Sequence, residues 1–175
     1  QQRAWTWEQQ ALVRARPLAG AASLCAAFCA LREHTLTRAR EQATLREDVL
    51  AMRRRMRAEL DRSDASRFDL KQGEGGLVDL EFLLQQRVLA LSSMQPSLCA
   101  HTATRELIGA LAAIDGLHGS DAQALLRAHA ALLARGLDCT LDRRPRLCVP
   151  DAALDQARAV VRQACLAQGL DFSAG

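Results

Sequence analysis

The stretch Arg67–Gln86, RFDLKQGEGGLVDLEFLLQQ, decides how this chain is read. It holds the only lysine in the sequence, three of its ten glycines, and two carboxylates one residue apart. As a strand, Asp79-Leu80-Glu81 would turn both acids to one face, where such a pair grips a divalent ion against a triphosphate. Sites of that kind also need a Gly-Ser turn ahead of the acids, whereas Gly119-Ser120 follows them. The run after the double glycine is rich in leucine and glutamine, with Val78 and Val88 its only β-branched residues, and it is too long for an ordinary strand. It reads as a helix.

In a helix, residues two apart point about 200° away from each other. Asp79 and Glu81 then do not share a metal, and no metal site is expected. Asp79 falls in the first turn, where the exposed amides and the helix dipole favour a carboxylate. Glu81 lies between Leu80 and Phe82 and shares a face with Gln85, so it calls for a partner, an arginine of a neighbouring helix or of a flanking domain. Gly73, Gly75 and Gly76 leave backbone N–H groups at the helix start with Lys71 close by, a place for a phosphate. The lysine precedes the glycines, so this is not a Walker loop, and a tight turn explains the glycines equally well.

The remaining composition points the same way. Of 175 residues, 49% are apolar but only 3% aromatic, and alanine and leucine dominate, a helix-forming mixture. Twenty-two of the 23 basic residues are arginine, yet the net charge is only +3, which argues against a nucleic-acid-binding protein. Cys25, Cys29, Cys99, Cys139, Cys148 and Cys165 form no C-x-x-C pair and read as reduced, mostly buried small hydrophobes of a cytoplasmic protein. No run is long and apolar enough for a membrane span, and no signal peptide is visible. The opening QQRAWTWEQQ lacks methionine and is apolar-periodic at once, as in a piece of a longer polypeptide.

Along the chain, helices are expected over Trp5–Arg16, with an apolar pattern through Trp5, Trp7, Ala11 and Leu12, and over ASLCAAFCALREH, with Leu24, Phe28 and Leu31 as its stripe. Leu45, Val49, Met52, Met56 and Leu60 make the clearest bundle seam. Arg53–Arg57, RRRMR, is expected to be a solvated flank of that seam. Further helices run over Leu77–Met94, Thr102–Ile114, from a Ser120/Gln123 capping box to Arg135, and from an Asp151 N-cap to Gly169. The expected fold is all-α, one helical domain over residues 1–175 with six to seven mostly up-down helices.

FDLKQGEGGLVDLEFLLQ resembles the Phe-Asp-(Ile/Leu)-Lys-x-Gly-x-Gly-Gly-(Ile/Leu)-x-Asp-(Ile/Leu)-Glu-Phe-x-x-Gln signature of glutamine synthetase adenylyltransferases. AWTWEQQALVRAR and REDVLAMRRRMRAEL are similar to segments that follow the second nucleotidyltransferase core in that family. The likeness runs from Ala4 to Leu91 and thins to pattern beyond. It implies a bifunctional enzyme using ATP and magnesium to adenylylate a tyrosine of glutamine synthetase, with a second half removing AMP by phosphorolysis. Glutamine and a PII-type signalling protein control the balance. This chain would be the helical domain of the adenylylating half, catalytically silent alone because the paired acids lie in the upstream core. No nucleotide or metal is then expected on the chain by itself. In that setting Lys71 would meet phosphate, Gly73, Gly75 and Gly76 would admit close backbone approach, and Asp79, Glu81 and Gln85 would orient basic groups or join domain to core. The alternative is a non-catalytic docking module for glutamine synthetase or a PII protein.

Overall fold

The computed structural model describes residues 5–173. Ala4, where the family likeness begins, and the outermost residues of the 1–175 domain assignment lie outside them. Among the described residues the chain forms seven α-helices: α1 Thr6–Arg14, α2 Ala22–Leu36, α3 Gln42–Leu60, α4 Leu77–Leu91, α5 Thr104–Ala113, α6 Ala122–Leu141 and α7 Ala152–Ala167. A 3-10 turn occupies Pro96–Ala100, and two two-residue strands, β1 Phe68–Asp69 and β2 Leu147–Cys148, pair antiparallel with Phe68 opposite Cys148. The all-α expectation holds. The tiny ladder was not expected, because two residues carry no alternation to read. None of the helices is long and apolar enough to cross a membrane.

The chain divides into two compact units, each gathered from two segments: the residues up to Val49 with Leu84–Gly116, and Leu50–Leu83 with the residues from Leu117 onward. The boundaries fall inside α3 and α4.

In the first unit, the Glu8 carboxylate accepts the Trp5 N–H at 2.8 Å and starts α1. The helix stops at Arg14, short of the expected Arg16, as the chain turns extended at Ala15 before Pro17. Two arginines then collect carbonyls at helix ends, where the regular helical donors run out. Buried Arg32 donates to Leu12 O and Val13 O, each at 2.7 Å, and to Cys99 O of the 3-10 turn. Arg40 reaches Leu36 O at 2.8 Å, Thr35 O at 2.7 Å and Leu89 O at 3.2 Å. This arrangement overturns the expected apolar stripes of α1 and α2. Trp5, Trp7, Leu24 and Leu31 are exposed, and the buried positions are Gln10 and Val13 on α1 and Arg32 and Leu36 on α2. The inward face of α2 is set by carbonyl capping, not by its most apolar side.

In the second unit, α6 begins at an Asp121 N-cap whose carboxylate accepts the Gln123 and Ala124 N–H groups at 2.8 and 3.0 Å. The cap is therefore one residue later than the expected Ser120. The helix also passes Gly136, where a stop was expected, since one glycine costs a helix only about 1 kcal/mol. It ends where Arg143 takes φ 55° and the Arg144 N–H closes on Cys139 O at 2.9 Å. Asp151 caps α7 as expected, accepting the Leu154 N–H at 2.8 Å. Leu125, Ala128 and Leu132 of α6 and Leu154, Ala157, Val161 and Ala164 of α7 supply much of this unit's core as the two helices pack together.

Replacing Arg32 by methionine strands the buried Val13 and Cys99 carbonyls, each costing about 1–3 kcal/mol when left unpaired. Urea unfolding of that variant should show a loss of about 3 kcal/mol; a loss within roughly 0.5 kcal/mol would refute the capping role.

Candidate functional site

The Arg67–Gln86 stretch builds its turn from the inside out. β1 delivers Asp69, whose carboxylate accepts the Lys71 and Gln72 N–H groups at 2.8 and 2.9 Å and so bends the chain. The Leu77 N–H donates to Leu70 O at 3.0 Å and the Val78 N–H to Lys71 O at 3.1 Å, closing the loop onto the first turn of α4. Gly75 takes φ +79°, and a Cβ there would stand 2.5 Å from the Arg158 carbonyl of α7. Gly73 lies so close to the Phe68 ring that a Cβ would come within 2.2 Å of it. The glycines thus serve close approach: one to a helix backbone, the other to an aromatic ring. The Arg158 guanidinium sits 4.0 Å from the centroid of that same ring, and Arg162 pairs with Glu74 at 2.9 Å.

Asp79 is the centre of the site. It is 2% exposed, and its Oδ1 accepts Arg53 Nε at 2.7 Å and Arg57 Nη2 at 2.9 Å. Its Oδ2 accepts Arg57 Nη2 at 2.6 Å and the Gly75 N–H at 2.7 Å. Arg53 is fully buried, donates to Gln72 O at 2.7 Å, and lies 6.0 Å from the Phe82 ring centroid. Arg57 donates to Phe172 O at 2.7 Å, and Phe172 meets Phe82 edge-on with centroids 6.3 Å apart. Burial pulls the Arg53 guanidinium below its ordinary pKa, and the Asp79 carboxylate opposes that pull. The Cys165 thiol, 3.8 Å from Asp79 O, is pushed well up by burial and then by the Asp79 charge.

The expectation of a solvated Arg53–Arg57 flank is therefore corrected. Arg53 and Arg57 point inward, while Met52 and Met56 are only half-buried and Leu60 is exposed. The signal was present: Leu45 and Val49 are buried, and the same step of four leads to Arg53 and Arg57. A carboxylate flanked by Val78 and Leu80 also demands buried cations.

The other expected residues fall as follows. Lys71 is exposed. The Gly73, Gly75 and Gly76 N–H groups donate to Asp69 O, Asp79 Oδ2 and Gly73 O at 2.9, 2.7 and 2.9 Å. Glu81 is half-buried, and Gln85 belongs to the first unit, where its Oε1 accepts Gln10 Nε2 at 3.2 Å. A pocket of about 110 Å³ beside the cluster is lined by Glu74, Asp79, Arg162, Cys165, Asp171 and Phe172 among others. Magnesium and a triphosphate do not fit these donors: Asp79 gives both oxygens to arginines and a backbone amide, and the glycine amides are engaged. Among the described residues no cluster of three His, Cys, Asp or Glu stands ready for a metal.

Fold and site together define an all-helical module locked around a buried arginine–aspartate cluster at a glycine turn. The chain belongs to the GlnD PII-uridylyltransferase family, whose model matches residues 43–136. Over 99% of its length it is 58% identical to the bifunctional glutamine synthetase adenylyltransferase/adenylyl-removing enzyme of Xanthomonas axonopodis pv. citri. It is 56% identical over 98% to the enzyme of that name in Stenotrophomonas maltophilia, and 45% identical over 75% to that of Nitrosococcus oceani. The likeness extends well past Leu91, where the motifs alone lost it. The chain spans only 18% of the length of the first two relatives and 14% of the third.

Asp79→Asn leaves Arg53 buried without its counter-charge and should cost about 3–5 kcal/mol in urea unfolding. Gly75→Ala, strained at positive φ and clashing with Arg158 O, should cost about 2 kcal/mol or more. Near-wild-type midpoints for both would refute this description of the turn.

Proposed function

We propose that this chain is the helical module of a bifunctional glutamine synthetase adenylyltransferase/adenylyl-removing enzyme, seated beside the nucleotidyltransferase core that carries out AMP transfer. The observation that carries this reading is 58% identity across 99% of the chain to an enzyme of that name. On this reading ATP and magnesium are held by the core, whose chemistry is transfer of an adenylyl group to a tyrosine of glutamine synthetase under PII control. The module's own residues hold shape. Arg53 and Arg57 anchor Asp79, Asp79 fixes the Gly75 amide, and Asp69 fixes the Lys71 and Gln72 amides.

The turn then presents Lys71 from a rigid base. With the glycine amides already engaged, anion contact at the edge of the nucleotide cleft falls to this exposed ammonium. Trp5, Trp7, Leu24 and Leu31, exposed on the first unit, are large apolar side chains of the kind an adjoining domain covers.

In the full-length enzyme, Lys71→Ala should raise the KM for ATP about tenfold, the loss of one charge-assisted contact, with thermal stability unchanged. Unaltered adenylylation kinetics in a stably folded Lys71→Ala enzyme would remove the lysine from the cleft.

A further inference from the structure

Among the described residues, Cys139 and Cys148 are the cysteines whose sulfurs touch, 3.5 Å apart. Both are reduced and buried, Cys139 fully and Cys148 to 8% exposure. Cys139 lies in the last turn of α6 and Cys148 on β2, so the contact closes the hairpin between them. Within residues 141–150 every residue but Leu147 and Cys148 is exposed. Among the described residues, the only ladder holding β2 is the two-residue pairing with β1. Short, exposed segments of this kind open locally at low cost, which gives a solute access to a thiol that is covered on average. Forming the bond would bring the sulfurs from 3.5 Å to about 2 Å.

We propose that Cys139 and Cys148 form a reversible dithiol/disulfide site, oxidised by peroxide-class oxidants. Cys148 reacts first. Its residue is the more exposed of the two, 8% against 0% for Cys139. Burial, and then its contact with Cys148, pushes the Cys139 thiol up, which suits a resolving thiol that waits for a partner. In the first step the Cys148 sulfur takes one oxygen from hydrogen peroxide, giving a sulfenic acid and one water. In the second, Cys139 sulfur attacks the Cys148 sulfur, the S–O bond breaks, and hydroxide leaves with the Cys139 proton as a second water. Two thiols are oxidised to one disulfide, and one peroxide is reduced to two waters.

The bond would pin the α6 end to β2, whose Cys148 stands opposite Phe68 at the entrance to the glycine turn. The site therefore adjoins the turn without using any residue of the Asp79 cluster. It stands independently of the proposed enzymatic setting.

The test is hydrogen peroxide treatment of the whole chain, followed by alkylation, proteolysis and peptide mass mapping. The expected product is a Cys139–Cys148 cross-linked peptide, lighter by two hydrogens, that dithiothreitol returns to two thiols. In Cys139→Ser, Cys148 should stop at a sulfenic acid trapped by dimedone; in Cys148→Ser, oxidation at Cys139 should slow by about tenfold or more. The proposal is overturned if the wild-type chain gives no such peptide. It is equally overturned if both sulfurs pass straight to sulfinic acids. Because mapping on the wild-type chain alone decides the matter, a poorly folded variant does not spoil the test.

Discussion

A carboxylate 2% exposed at the first turn of a helix requires cations, and α3 supplies two of them one turn apart. The second unit is organised around that requirement. Arg53 and Arg57 hold Asp79 from one side, and the Gly75 amide holds it from the other. The same two arginines reach onward to Gln72 O and Phe172 O, so one cluster joins α3, the turn, α4 and the segment after α7. Buried ion pairs of this sort add little net stability compared with a well-packed apolar replacement, because desolvation offsets most of the Coulomb gain. Their effect here is positional: with three groups converging on one carboxylate through four hydrogen bonds, a single register of turn and helix satisfies them all.

The glycines follow from the same constraint. Once Asp79 draws in the Gly75 amide, the chain there must take positive φ and run against the α7 backbone, where no side chain fits. A sequence element with the appearance of a phosphate cradle is thereby committed to internal contacts. A turn whose amides are engaged internally keeps its shape without a ligand.

Helix class and several boundaries were readable because they rest on local chemistry. The Asp151 cap needs only its own next three residues, and the coil after the double glycine follows from leucine content and length. What escaped was whatever depends on distant partners. The α2 face turned inward by Arg32 is chosen by carbonyls at the ends of α1 and the 3-10 turn, about which the apolar spacing of Leu24, Phe28 and Leu31 carries no information. The Arg53–Arg57 run looked solvated because charge is usually exposed, although the Leu45–Val49 step led straight to it. Of the site, Asp79's place in the first turn was readable; its arginine partners were signalled by the Leu45–Val49 step but masked by the usual exposure of charge. The Cys139–Cys148 contact, across a turn of unreadable shape, left no trace in spacing.

The most direct test of the central claim is a double-mutant cycle on Arg53 and Asp79, using Arg53→Met, Asp79→Asn and the pair, with unfolding free energies from urea titration. The account predicts a coupling of about 2–3 kcal/mol, with the double variant nearer to wild type than the single losses sum to. Additive losses, with a coupling below roughly 0.5 kcal/mol, would contradict it and show that Asp79 is not held by the buried arginine.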